Sequence, residues 1–341
     1  MFILENVPLS GYSTMRLGGN AAYLTDVLNR TDIVEALAWA EARGLPAMMI
    51  GGGSNIIWDD DGYPGLVLVN KISGFDAFEM DELSTYVTVG AGEDWDSVVS
   101  RVVDLGLSGI EQLSLIPGTA GATPVQNVGA YGREIAEVLV TIELYDTETK
   151  QFATMRASEC EFGYRTSKFK TTEKGRYFIS AITMLLQKQS PKPPFYDSLQ
   201  TYLDKKGISS PTLKDIRESV IAIRSSKLPD PKVVANNGSF FANPIITADQ
   251  FREIQAQHEE IPHWQLSDGR VKLAAGWMIE QTGFKGVHDP ETGMATWDKQ
   301  ALVLVNEKAK STRDLLVFKQ KIINAVQQKF GVVLEQEPEL V

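Results

Sequence analysis

Cysteine is all but missing: Cys160 is the only one in 341 residues, so no intramolecular disulfide can form, and a reducing compartment is expected. Histidine is nearly as scarce. The three present, His258, His263 and His288, have no cysteine at metal-ligand spacing, so no structural zinc and no other metal is expected. Positive charge is in deficit, with 33 Lys and Arg against 44 Asp and Glu for a net charge of −11, which argues against broad attraction to nucleic acid or an anionic membrane. Any anionic ligand has to be held by a few local cations and backbone amides. Long apolar runs are absent too: nothing approaches the ~18 consecutive residues of a membrane helix. The first ten residues have no basic leader, and a cytoplasmic protein is expected. There is no internal repeat and no low-complexity tract.

The chain does have enough apolar residues, 43%, to bury a sizeable core, and its length suits two or three domains at roughly 100–200 residues each. Thr31 is placed to cap a helix with Ile33, Val34, Leu37, Ala38 and Trp39 at helical spacing and Gly44 as its stop. Ala47–Ile50 reads as a buried strand running into a glycine turn, with a further apolar run at 66–69. A strand at 86–89 leads through Gly90-Ala91-Gly92 into a helix through Trp95, Val98, Val99, Val102 and Val103. Strands are expected over 138–144 and 177–185. The proline-rich residues 187–194 read as a linker or exposed loop near a domain boundary. A third lobe is expected to begin around the helix that Thr212 caps. Thr247 and Gln250 form a capping-box pattern, Thr312 is expected to open a long amphipathic helix stopping at Gly331, and 332–335 reads as a strand.

Four stretches and one carboxylate carry chemistry. Gly51, Gly52, Gly53, Ser54 and Asn55 offer backbone amides unobstructed by side chains, as a diphosphate requires, although an ordinary tight loop has the same composition. The spacing is neither a Rossmann nor a Walker pattern. Residues 116–132 hold four glycines and three alanines, so backbone can closely approach a flat polyfunctional ligand, with Gln126 and Asn127 available to hydrogen-bond its edge; an irregular loop packed by small residues is the alternative. Residues 162–170 alternate aromatics and cations. Arg165 suits bidentate pairing with a carboxylate, and a half-buried edge strand is the plainer reading. Residues 236–244 read first as a turn leading into a short apolar strand, Glu335 as a solvated carboxylate, and Cys160 as a small buried side chain.

Taken in order and at these separations, the segments 51–55, 116–132, Phe162-Gly163-Tyr164-Arg165, Gly238-Ser239-Phe240-Phe241 and Leu334-Glu335 resemble the UDP-N-acetylenolpyruvoylglucosamine reductase family, as does Lys272-Leu273-Ala274-Ala275-Gly276-Trp277. The resemblance spans nearly the whole chain. It implies an α+β fold: a two-lobed FAD-binding part of the vanillyl-alcohol-oxidase type, in lobes 1–70 and 71–210, with a substrate loop near 190–200. A substrate-binding α+β lobe over 211–341 completes it, its C-terminal strand returning to the active site. It further implies noncovalent FAD, held by Gly51, Gly52, Gly53, Ser54, Asn55, Ile116, Pro117, Gly118, Gly121, Ala122, Gln126, Asn127, Gly129, Ala130, Tyr131 and Gly132. NADPH would be the co-substrate and UDP-N-acetylenolpyruvoylglucosamine the substrate, of a monomeric enzyme in peptidoglycan precursor synthesis. The catalytic trio falls on Arg165, Ser239 and Glu335, with substrate contacts on Tyr164, Tyr196, Lys227 and Asn243. Tyr196 resembles the tyrosine of the form with an extra loop. The chain departs from the commoner family pattern at Met15, where an aromatic often follows the threonine, and after Glu335, where Gln336-Glu337 precede Pro338.

Two rival functions stand beside this one. A flavin-dependent sugar or alcohol oxidase would use the same scaffold, but with every histidine beyond residue 257 there is none in the N-terminal half for a histidyl-linked flavin. A non-catalytic flavin or nucleotide-sugar binding protein would have no use for the matched trio.

Overall fold

The computed structural model describes residues 1–341 and divides into two compact units, neither continuous in sequence. The first comprises Met1–Val7, Ala21–Gly53 and Pro64–Ser225; the second comprises Pro8–Asn20, Ser54–Tyr63 and Ser226–Val341.

In the first unit, a four-stranded sheet runs in the order Ile3–Pro8, Asn20–Val27, Tyr63–Asn70, Ala47–Ile50, the last two pairing in parallel. Helix α1, Arg30–Glu41, buries Ile33, Ala36 and Ala40 in a core shared with Val27, Leu66 and Leu68. Its cap is Asn29 rather than Thr31, because the Asn29 side chain accepts from the Asp32 amide at 3.1 Å and Thr31 is already inside the first turn. A five-stranded, wholly antiparallel sheet follows, in the order Gln151–Arg156, Leu139–Asp146, Tyr177–Gln187, Ser84–Gly90, Phe75–Glu79. Helix α2, Trp95–Asp104, packs beneath it, capped by Asp94 and burying all five apolar residues of its periodic pattern. At ~1.5–3 kcal/mol per fully buried large apolar side chain, that face outweighs the ~1 kcal/mol of the cap.

Helices α3, Asp197–Lys206, and α4, Leu213–Lys227, form a pair with its own small core of Phe195, Leu199, Leu203, Ile216, Val220 and Ile223. Both helices lie within the first compact unit, which continues to Ser225.

The second unit centres on one large cluster that includes Phe240, Phe241, Leu273, Met278, Phe318 and Ile322, with Met15, Leu17 and Ile57 drawn in from the early segments. Around it lie a four-stranded sheet (Ala235–Ser239, Gln300–Asn306, Met294–Trp297, His288–Asp289) and a three-stranded one (Ile245–Ile246, Val271–Leu273, His263–Gln265). The helices are α5, Ala248–Gln255, with the expected Thr247–Gln250 capping box, α6, Ala275–Gln281, and α7, Thr312–Phe330. Ser311 caps α7; Thr312 sits one position inside, and its hydroxyl donates to the Trp58 carbonyl at 2.6 Å. Gly331 closes the helix at φ +70. The strand expected over 332–335 does not form. Val332 and Leu334 turn into the core, and pairing starts at Glu335, whose carbonyl accepts from Ala242 at 3.0 Å, while Glu337 donates to the Phe240 carbonyl at 2.9 Å. Glu339–Leu340 then pairs in parallel with Ile56–Ile57.

Candidate active site

In the first unit, the strand Ala47–Ile50 delivers Gly51 and Gly52 against the second glycine stretch. A Cβ on Gly51 would stand 2.2 Å from Thr119 Oγ1, and one on Gly52 3.2 Å from the Gly118 Cα, so only bare backbone brings these turns together. The Gly118 carbonyl accepts from the Trp95 amide at 3.0 Å, fixing the loop to the start of α2. Gly121 donates to the Ala91 carbonyl at 2.9 Å, where a Cβ would lie 2.4 Å from Ala91 Cβ. Ile116 and Pro117 enter this loop, and Ala122 closes its single 3-10 turn.

The backbone beyond is held in sparsely populated conformations: Asn127 at φ 48 and Tyr131 at φ 50, followed by Gly132 at φ 79. Asn127 is buried, and its carboxamide serves the protein. Its Nδ2 donates to Glu134 Oε2 at 2.7 Å and to the Gly163 carbonyl at 3.1 Å, and its Oδ1 accepts from Ala136 at 3.2 Å. With both protons used, Asn127 shapes the loop holding Gln126, Gly129 and Ala130 and keeps at most one lone pair for a ligand.

Residues 162–170 form no strand. Gly163 and Thr166 pair across a tight turn that presents Tyr164 and Arg165, with Arg165 at φ 54. The Arg165 guanidinium lies 5.1 Å from the Tyr164 ring centre, and its Nη2 donates to the Gly129 carbonyl at 2.7 Å. A Cβ on Gly129 would come within 3.1 Å of Arg165 Nη1, so the glycine makes room for the cation. Tyr196 precedes α3 and meets Tyr131 edge to face at 5.9 Å; burial pushes both phenols above their ordinary pKa.

In the second unit, Ser239 ends the strand Ala235–Ser239 after an irregular register and Gly238 at φ 70. The Ser239 side chain is exposed between buried anchors, Asn237 before it and Phe240 and Phe241 after it. Asn237 is a strut: its Nδ2 donates to Thr14 Oγ1 at 3.1 Å and to the Ser54 carbonyl at 3.0 Å, while its Oδ1 is buried without a protein partner. The Asn55 carbonyl accepts from Glu339 at 2.9 Å.

Glu335 is exposed on the segment paired with residues 240–242, so the fold brings the stretches carrying Ser239 and Glu335 side by side. Gln336, which follows it, is immobilised: its Oε1 accepts from Lys319 Nζ at 3.1 Å and its Nε2 donates to the Pro338 carbonyl at 2.6 Å. Burial holds the Lys319 ammonium below its usual pKa. Asn243 spends its Oδ1 on the Ala275 amide at the head of α6, 3.0 Å away, and Lys227 is exposed at the end of α4.

Three polar residues with evident structural work escaped the sequence reading: Asp96, Arg217 and Asn237. Asp96 carried only the weak signal of an acid in a first helical turn, and its pairing with Arg217, 121 positions on, has no local signature.

The family described as UDP-N-acetylenolpyruvoylglucosamine reductase, C-terminal domain, matches residues 230–341, and the FAD binding domain matches 22–152. A UDP-N-acetylenolpyruvoylglucosamine reductase from Ralstonia nicotianae is 42% identical over 334 residues, 97% of each chain. One from Pseudomonas syringae pv. tomato is 40% identical over 340 residues, covering 100% of this chain and 99% of its own. A solved UDP-N-acetylenolpyruvylglucosamine reductase from Thermus caldophilus superposes with a TM-score of 0.67 over 99% of both chains at 22% identity.

Proposed function

The chain belongs to the UDP-N-acetylenolpyruvoylglucosamine reductase family, and from that premise we propose that it reduces the enolpyruvyl group of UDP-N-acetylenolpyruvoylglucosamine to give UDP-N-acetylmuramate, with NADPH as reductant and FAD as cofactor. The full-length similarity to reductases of that name carries the reading. The reaction serves peptidoglycan precursor synthesis, and we place it in the cytoplasm, consistent with the lone cysteine and with the absence of any helix long and apolar enough to cross a membrane. A monomer suffices for it.

The residues present fit FAD. In the first unit the two glycine turns lie so close that a Cβ on Gly51 would meet Thr119 Oγ1 at 2.2 Å, and the following loop holds left-handed residues at Asn127 and Tyr131. Gly51, Gly52, Gly53 and the segment 116–132 would hold the cofactor there, and Ser54 and Asn55 continue the same turn. When bound, FAD supplies the hydride chemistry between NADPH and the enolpyruvyl carbon C3.

The protein's own residues manage charge and protons. Arg165, which donates to the Gly129 carbonyl, neutralises negative charge growing on the enolpyruvyl carboxylate, and Glu335, on the segment paired beside the stretch that carries Ser239, is the third member of the trio. Ser239 delivers the proton to C2. A serine hydroxyl ionises far above neutral pH, but the enolate it faces is strongly basic, so the transfer runs downhill. Tyr196 covers the nucleotide sugar, with Tyr164, Lys227 and Asn243 as further contacts.

An absorbance scan followed by two anaerobic additions tests the proposal. The purified protein shows oxidised flavin bands, NADPH bleaches them, and the enolpyruvyl sugar restores them. Bands that return only on admitting oxygen would identify an oxidase instead, and bound flavin that NADPH never bleaches would identify a binding protein.

A further inference from the structure

Asp96, in the first turn of α2, is held by two partners at once. Its Oδ1 accepts from Arg217 Nη1 at 2.7 Å and from the Leu115 amide at 2.5 Å, and its Oδ2 accepts from Arg217 Nη2 at 3.0 Å. The pair is largely covered, with side-chain exposures of 13% for Arg217 and 27% for Asp96. Burial works against the charge on Asp96, yet the Arg217 and Leu115 hydrogen bonds hold its pKa below the ordinary value. Each partner leads elsewhere. Leu115 stands at φ 58, a conformation that a non-glycine residue keeps only where its surroundings impose it, and it opens directly into Ile116, Pro117 and Gly118. A second helix residue grips the same place, since Arg224 Nε donates to the Leu115 carbonyl at 3.3 Å. Arg217 lies on α4, whose apolar face packs on α3, and α3 begins immediately after Tyr196.

We propose that Asp96 is a positioning residue with two separable duties: through Leu115 it sets the loop that holds FAD, and through Arg217 it docks the α3–α4 pair so that Tyr196 is presented to the nucleotide sugar. The inference rests on the substrate and cofactor assigned above. Its two halves lose different things. Removing Arg217 leaves the Asp96–Leu115 bond in place, whereas removing Asp96 breaks both and strands the Arg217 guanidinium under partial cover.

The test uses the holoenzyme and five variants: Asp96→Ala, Arg217→Met, Arg217→Lys, Tyr196→Ala, and the double variant of Tyr196→Ala with Arg217→Met. Asp96→Ala is expected to weaken FAD binding by about tenfold or more and to shift the visible bands of bound flavin. Arg217→Met should leave FAD affinity and spectrum within about twofold of wild type while raising KM for the sugar about five- to tenfold with little change in kcat. Arg217→Lys should recover part of that loss, because lysine restores the charge without the bidentate fork. In the double variant the KM should not exceed that of Tyr196→Ala alone. The proposal falls if Arg217→Met weakens FAD as much as Asp96→Ala does, or if the Arg217→Met and Tyr196→Ala losses simply multiply. Should Asp96→Ala fail to fold, Asp96→Ser takes its place in the FAD measurement, and the Arg217 and Tyr196 cycle decides the second duty. Should the sugar not reoxidise wild-type flavin, the substrate assignment fails, and the FAD measurements on Asp96→Ala and Arg217→Met still decide the first duty.

Discussion

Ser239 is the residue whose role separates most cleanly by experiment. In the mechanism proposed above its proton goes to C2 of the sugar and takes no part in flavin reduction by NADPH, so Ser239→Ala should leave stopped-flow bleaching near the wild-type rate. Reoxidation by the sugar should slow by ~10²- to 10⁴-fold, the usual loss on removing a general acid. Ser239→Cys should recover part of it. Equal damage to both half-reactions would remove the acid role. By themselves, the residues in the sequence did not point here: Ser239 resembles a turn serine, Glu335 a solvated tail carboxylate, and Arg165 a cation on an edge strand. The roles proposed for them rest on family resemblance, because what joins the stretches of Ser239 and Glu335 is a pairing between segments 240–242 and 335–337 that neither segment encodes alone. The Asn127 side chain points the other way. It was read as a ligand contact, and in the structure its two protons go to Glu134 and the Gly163 carbonyl, partners that cannot be read from spacing.

At the scale of elements, periodicity served well where one face is strongly apolar. Helix α2 and the strand Ala47–Ile50 lie where their patterns put them, whereas α3 went unseen because only Leu199 and Leu203 of its ten residues are buried. Caps slipped by a residue or two where neighbouring polar residues compete, as Asn29 does with Thr31 and Ser311 with Thr312. One ion pair ties strand Leu139–Asp146 to the head of strand Tyr177–Gln187, with Arg176 Nε and Nη2 on the two Asp146 oxygens at 2.9 and 2.8 Å. The Arg176 guanidinium holds the Asp146 carboxyl down at about 2. A free aspartate titrates near ~3.9. The folded pKa is the lower one, so the pair's stabilisation is complete above about pH 4 and is lost as pH falls toward 2. Asp146→Asn should therefore melt below wild type at pH 7, and the gap should close between about pH 4 and pH 2. A gap that stays constant across that range would remove the ion pair as its cause.

For the molecule as a whole, a mixture of helices and strands was legible from the patterns, whereas the two compact units join segments far apart in the chain, because compactness ignores chain order. Noncovalent FAD binding to the native protein should show in its melting: at a hundredfold excess over Kd, added FAD should contribute ~2.7 kcal/mol and raise Tm with concentration. Acid precipitation should release the yellow colour into the supernatant, and colour kept in the pellet would contradict noncovalent attachment. The interleaving of the units also sets an order of assembly during synthesis. Met15, Leu17 and Ile57 leave the ribosome early, yet their packing partners lie beyond residue 239, and the Asn237 strut to Thr14 spans 223 positions. At ~5–20 residues per second, these early apolar segments wait about 10–40 s for the chain that buries them. The newborn protein thus passes through a stage in which two short sticky stretches are exposed. In that interval, before there is any enzyme to inhibit, the chain is most open to chaperones, proteases and its own siblings.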